Sequence, residues 1–152
     1  MAEISFTDYA TPTERVVLDT HVWLGYLDRH SFALSPSAVR IVSAAQRAAG
    51  MLVPDAAVWE IALKAGRGSM RLRLPVRGWI ARACEVPGTR LVPFTSELML
   101  RTAELPAGAP SDPFDRAIIV TAIAVGAPLV TADRKIIEWA TASMALRVVP
   151  AR

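Results

Sequence analysis

Ser111-Asp112-Pro113-Phe114-Asp115-Arg116 runs straight into the apolar Ala117-Ile118-Ile119-Val120. The stretch reads as the start of a helix. Asp112 is a natural N-cap residue. Pro113 suits the first helical position, where an N–H would find no partner in the helix. Asp115 falls at the third position, where a carboxylate complements the positive end of the helix dipole. Gly126 is the expected stop, and Pro128-Leu129-Val130-Thr131 follows as a short apolar strand. Two readings of the acids stand side by side. Both can serve only to cap the helix, or Asp115 can be one of several carboxylates that hold a divalent cation.

Working outward, the same alternation recurs along the chain. Val16-Val17-Leu18 is too short for a helix and rich in β-branched residues, so a buried strand is expected, ending at Asp19-Thr20. Residues 21–27 carry Trp23, Leu24 and Leu27 at helical spacing. Ser35 caps a helix expected over residues 36–49, with Gly50 as its stop. Met51-Leu52-Val53 is a second strand, and a helix from Asp55 through Lys64 follows. A basic, irregular stretch holds Arg67, Arg71, Arg73 and Arg77. A helix over residues 76–85, a strand over 90–93 and a helix over 95–104 come next. After the opening helix (residues 113–125) and its strand, a helix is expected from Asp133 to about Thr141, then a strand over 146–149. Short strands, apolar on both faces and alternating with helices, predict a parallel sheet of about five strands between two layers of helices, an α/β/α fold.

The totals agree. A chain of 152 residues suggests a single domain with room for a core. Residues 15–152 are expected to form it, and residues 1–14 an N-terminal arm. A hydrophobic content of 53% excludes a disordered protein. A net charge of only +3 permits a nucleic-acid partner without demanding one. Cys84 is the single cysteine, so no internal disulfide or zinc-ligand spacing exists. Its place in an apolar helical pattern suits a small core residue. No secretory leader is read at the start, and the longest apolar run falls short of the ~20 residues of a membrane span. A soluble, cytoplasmic protein is expected.

Ligands of an open parallel sheet bind beyond the carboxyl ends of its strands. Asp19 directly follows the first strand, and Asp133 lies just after the fourth. Right-handed connection brings Asp115 to the same rim. Glu60 sits in the apolar first half of its helix, where a lone charge is unusual. Each acid has a structural account. Asp19 and Asp133 can cap the helices that follow them, and Glu60 can pair with Lys64, at about 0.3–0.5 kcal/mol. Gathered on one rim, however, like charges repel unless a cation or shifted pKa values relieve them. Carboxylates are hard oxygen donors suited to Mg²⁺ or Mn²⁺. Such a site can activate water for phosphoryl transfer. The basic stretch from Arg67 to Arg77 can track a phosphate backbone or simply be a solvated surface. Nucleotide-cradling glycine motifs and a nucleophilic-serine motif are absent. His21, beside Asp19, invites a base role but suits packing better.

Val16-Val17-Leu18-Asp19-Thr20-His21, Val58-Trp59-Glu60-Ile61 with Lys64, Asp112-Pro113-Phe114-Asp115-Arg116 and Leu129-Val130-Thr131-Ala132-Asp133 resemble, in order and spacing, the PIN-domain family. The likeness is strongest to VapC-type toxins of type II toxin–antitoxin systems. It covers residues 15–150. It implies a PIN-like sheet between helices and an endoribonuclease dependent on Mg²⁺ or Mn²⁺, cutting single-stranded or looped RNA by metal-activated water. By position, Asp19, Glu60, Asp115 and Asp133 match the catalytic acids, with Asp19, Asp115 and Asp133 the metal ligands. Thr20, Thr131 and Asp112 are expected to support the carboxylates, and Arg116 to pair with a carboxylate or contact phosphate. A cognate antitoxin and a homodimer are the implied partners. Two departures are visible: Ala109-Pro110-Ser111 stands where many relatives carry a histidine, and the N-terminal arm is long. Two rivals remain: a catalytically silent PIN-like module that only docks RNA or a partner, and a phosphatase- or receiver-like protein. The latter lacks the paired Asp-x-Asp it would want around Asp19.

Overall fold

The computed structural model describes residues 14–152. The arm expected at the N-terminus lies, but for Glu14, outside the described residues. The elements alternate as expected: β1 (Val16–Leu18), α1 (Thr20–Leu27), α2 (Pro36–Arg47), β2 (Met51–Pro54), α3 (Asp55–Gly66), α4 (Val76–Glu85), β3 (Thr89–Val92), α5 (Ser96–Thr102), α6 (Pro113–Val125), β4 (Leu129–Thr131), α7 (Arg134–Ser143) and β5 (Val148–Pro150). The five strands form one sheet in the order β3-β2-β1-β4-β5. Every pairing is parallel.

Strand alternation divides the core in two. Val16 and Leu18 face one layer with Val22 and Trp23 of α1, Val42 of α2 and Ala83 of α4. Val17 faces the other, with Ile118 and Ile119 of α6 and Ile136 of α7. Fully burying side chains of this kind is worth about 1.5–3 kcal/mol each, so the three-residue β1 is held by what it packs against on both sides. Burial on both faces holds for β1, β2 and β4. The edge strands differ, since Arg90 and Leu91 of β3 are exposed, as edges allow.

The N-caps are local and sequence-encoded. Asp112 Oδ1 accepts from the Phe114 and Asp115 amides at 2.8 and 3.0 Å. Ser35 and Thr95 cap α2 and α5 through the amides of Ala38 and Leu98. Gly126 ends α6 in the left-handed region, with φ 67°. The expected stop at Gly50 is corrected. Ala49 takes the left-handed turn (φ 55°), and Gly50 is required for another reason. A Cβ there would lie 2.1 Å from the Glu14 carbonyl oxygen. The last strand starts two residues later than expected. Met144 ends α7 with φ 56°, and Leu146 anchors in the core beside α7 rather than joining the ladder.

Candidate active site

The sheet order reverses at β1. The chain passes from β1 outward to β2 and β3, and from β4 outward to β5. Diverging connections of this kind leave a crevice at the carboxyl ends of the two central strands. Asp19 leaves β1 there and Asp133 follows β4. The helix α3 packs against α1 and α4 in one layer and α6 in the other, which carries Glu60 to the same crevice. The start of α6 is pinned by a ring contact between Trp59 and Phe114, at 4.7 Å and 70°. One cavity of about 330 Å³ is lined by Asp19, Glu60, Asp112, Asp115 and Asp133, with His21, Phe32, Lys64, Ala132 and Arg152 around them.

Asp19 is 8% exposed. Its Oδ1 accepts from the Thr20 amide at 2.8 Å, and its Oδ2 accepts from Thr131 Oγ1 at 2.6 Å. Burial raises its pKa, with the nearby Glu60 charge adding to the rise, against the opposing pull of those two hydrogen bonds. Glu60 is 6% exposed. Thr20 Oγ1 donates to its Oε1 at 2.5 Å, and Lys64 Nζ lies 2.6 Å from its Oε2. The helical ion pair and the cavity-facing carboxylate are therefore both present.

Asp115 is the perturbed acid. Its pKa is pushed up to about 7, first by burial and then by the charges of Asp112, Asp19, Asp133 and Glu60. Asp133 caps α7, its Oδ1 accepting from the Lys135 and Ile136 amides at 2.8 and 3.3 Å. The Asp133 amide in turn donates to Thr131 Oγ1 at 3.0 Å. Thr131 is thus a hub between the acids that follow β1 and β4.

The supporting residues divide. Thr20, Thr131 and Asp112 all meet the acids or their helix starts. Arg116 does not reach them. Its Nη1 donates to the Thr102 carbonyl at 2.7 Å, tying α6 to the end of α5, and it does not line the cavity. The carboxylate pairing expected of it is not made; the contact that is made ties two helices together. His21 is exposed at the cavity rim, its ring 5.7 Å from that of Phe32. Cys84 packs against the core, and burial raises its thiol pKa. Of the basic stretch, Arg73 is tied to Asp28 at 3.2 Å. Arg71 lines a second cavity of about 330 Å³ that adjoins the first, sharing His21 and Lys64 with it and adding Ser31 and Ser69.

Phe32 and Arg152 escaped the sequence reading. Phe32 lies in a connection with no periodic signal. Arg152 did carry one, because it follows β5 on the same sheet edge as Asp19 and Asp133.

The donor set is all carboxylate, and the upward shift of Asp115 is the strain that a cation would relieve. These residues fit a hard divalent ion such as Mg²⁺ or Mn²⁺. Among the described residues no group of three or more His, Cys, Asp and Glu side chains is placed to hold a metal ion as it stands. The acids share a crevice, with both oxygens of Asp19 and of Glu60, and one each of Asp112 and Asp133, engaged by the protein.

Fold and site together define an α/β protein with a carboxylate-lined crevice at the switch point of a parallel sheet. The chain belongs to the PIN domain family, whose model matches residues 16–141. It is 33% identical over 124 residues to Ribonuclease VapC22 of Mycobacterium tuberculosis (strain ATCC 25618 / H37Rv), covering 80% of this chain and 88% of that relative. Two solved structures share the fold at 14% identity. One is VapBC2 from Rickettsia felis bound to a DNA fragment from their promoter (TM-score 0.64, covering 90% of this chain and 98% of that one). The other is DNA-bound VapBC from Salmonella typhimurium (TM-score 0.63, covering 91% and 98%).

Proposed function

We propose that the protein is an endoribonuclease that depends on Mg²⁺ or Mn²⁺ and acts as the toxin of a toxin–antitoxin pair. The observation that carries this reading is the crowding of Asp115. Acids from four elements share one cavity, and burial first, then the charges of its neighbours, push the Asp115 carboxyl up to about 7. Membership of the PIN family, and the likeness to a relative named as a ribonuclease, supply the reaction class.

Asp19 and Asp115 would hold the ion directly, and Asp133 directly or through water. The bound ion would supply the Lewis acid that phosphodiester hydrolysis needs. The chain's own residues do the rest. Thr131 and Thr20 fix the carboxylates of Asp19 and Glu60. Glu60, anchored through Oε1, accepts the proton of the attacking water. The water oxygen bonds to phosphorus as the bond to the 3′ oxygen breaks in line. That oxygen takes a proton from solvent, leaving 5′-phosphate and 3′-hydroxyl ends. Arg71 and the cavity it lines would receive the neighbouring part of the strand.

An antitoxin partner and a homodimer belong to the same proposal, on the family resemblance. So does work in the cytoplasm, where the substrate is. Among the described residues no helix is long and apolar enough to cross a membrane.

The test is induced expression of wild type and Asp19→Asn, with new RNA 5′ ends mapped, alongside cleavage by purified Asp19→Asn and Asp115→Asn. Both variants are expected to fold and to lose metal-dependent cleavage. Unchanged cleavage in either overturns the site. The rival reading, a silent module that docks RNA, draws on the absence of a preformed cage. RNA binding with no cleavage across divalent metals, and no difference on adding EDTA, would favour it.

A further inference from the structure

We propose that Arg152 contacts substrate, receiving a phosphate of the RNA strand that crosses the acidic crevice. The inference rests on the endoribonuclease reading and adds a residue to it.

The placement starts from the sheet. Ala151, fully buried, extends the β5 edge. Its amide donates to the Thr131 carbonyl, and its carbonyl accepts from the Ser35 amide, both at 2.8 Å. Arg152 is thereby delivered to the rim beside Thr131 and Asp133. Its guanidinium carbon lies 3.8 Å from the centre of the Phe32 ring, and its Nε donates to the Ala33 carbonyl at 3.2 Å. One face and one edge of the group are fixed, while the side chain lines the cavity with five acids.

An exposed arginine beside so many carboxylates would be expected to fall onto one of them. It does not. Within the cavity the ion pair made is Lys64–Glu60, and Arg152 takes no part in it. The stacking contact and the Ala33 carbonyl hold Arg152 off the acids, leaving its Nη groups for an incoming anion. A planar fork of N–H donors matches phosphate. Lys64, also lining the cavity, is already committed to Glu60. An acidic crevice that must admit a polyanion needs a cation its own carboxylates have not taken, and Arg152 meets that need.

The test measures binding of a single-stranded RNA to the full chain in EDTA across a salt series, so that nothing is cut. Arg152→Ala is expected to weaken binding about tenfold and to flatten log affinity against log salt by about 0.7, the share of one phosphate contact on a single strand. Arg152→Lys should keep the slope and lose part of the affinity. Phe32→Leu should weaken binding with the slope unchanged, because the charge stays but its support goes. Mn²⁺ affinity, measured without RNA, should be the same in wild type and Arg152→Ala. Wild-type slope and affinity in Arg152→Ala overturn the Arg152 assignment alone. A wild-type protein that neither binds nor cuts RNA overturns the endoribonuclease reading, and this inference with it.

Discussion

Thr131 Oγ1 donates to Asp19 Oδ2 at 2.6 Å across the seam between β4 and β1. Both residues are buried. Thr131→Val keeps the shape and removes the donor. Leaving a buried carboxylate oxygen without its partner costs about 1–3 kcal/mol. Urea unfolding at neutral pH is expected to register about 2 kcal/mol of lost stability. The loss should shrink in acid, where the Asp19 carboxyl is protonated and needs the donor less. Thr131→Ser should lie close to wild type.

Asp115 gives a pH dependence opposite to that of most carboxylates. Its pKa rises from 3.8 to about 7 on folding. Between those values the native state holds more protons than the unfolded one, so stability falls as pH rises through this window. Thermal melts of the metal-free protein should record that fall. A divalent cation competes with the proton, so Mn²⁺ should raise the melting temperature at about pH 8 and do little at about pH 5. Asp115→Asn should be more stable than wild type without metal at about pH 8, and less responsive to Mn²⁺.

Trp59 is exposed at 51%, yet its ring meets Phe114 at the start of α6. An aromatic pair of this kind is worth about 0.5–1.5 kcal/mol. Trp59→Ala is expected to cost little more than that in stability. Its larger effect should be on cleavage, because the pair holds the first turn of α6, which carries Asp115. Cleavage rates falling at least about tenfold, with a nearly unchanged melting temperature, would bear this out; displacing reacting groups by ~1 Å can cost a factor of that size or more.

Gly50→Ala places a methyl group 2.1 Å from the Glu14 carbonyl oxygen. The backbone must move, at about 1–3 kcal/mol, and denaturant unfolding should detect it. Gly66→Ala is the matched control. It ends α3 with nothing within 4 Å of the new atom, and should be neutral or stabilising by up to ~1 kcal/mol.

The fold was legible where local chemistry and burial agree. Asp112-Pro113 and Ser35-Pro36 announce their helices, and the β-branched runs of β1 and β4 are buried on both faces as read. The misreadings fall where the backbone does something no residue type announces. Ala49 and Met144 take left-handed conformations usually left to glycine, and Leu146 leaves the ladder for the core. In the site, the strand-end rule finds Asp19 and Asp133, and the helix start finds Asp115. The direction of a side chain off a helix was not legible. Arg116 sits beside Asp115 in sequence, yet points to Thr102. Arg152, 36 residues after Arg116, lines the crevice.

The crevice joins residues that are far apart along the chain. Thr20 meets Glu60 across 40 positions, and Asp19 meets Thr131 across 112. Contacts of such long range form after local ones, because loop closure must come first. A chain growing from its N-terminus can assemble β1, β2 and β3 with Asp19 and Glu60 in place, and still lack Thr131, Asp133 and the helix bearing Asp115. The carboxylate set is therefore completed only when β4 docks against β1. The residues proposed to hold the metal come together only with the pairing of the two central strands.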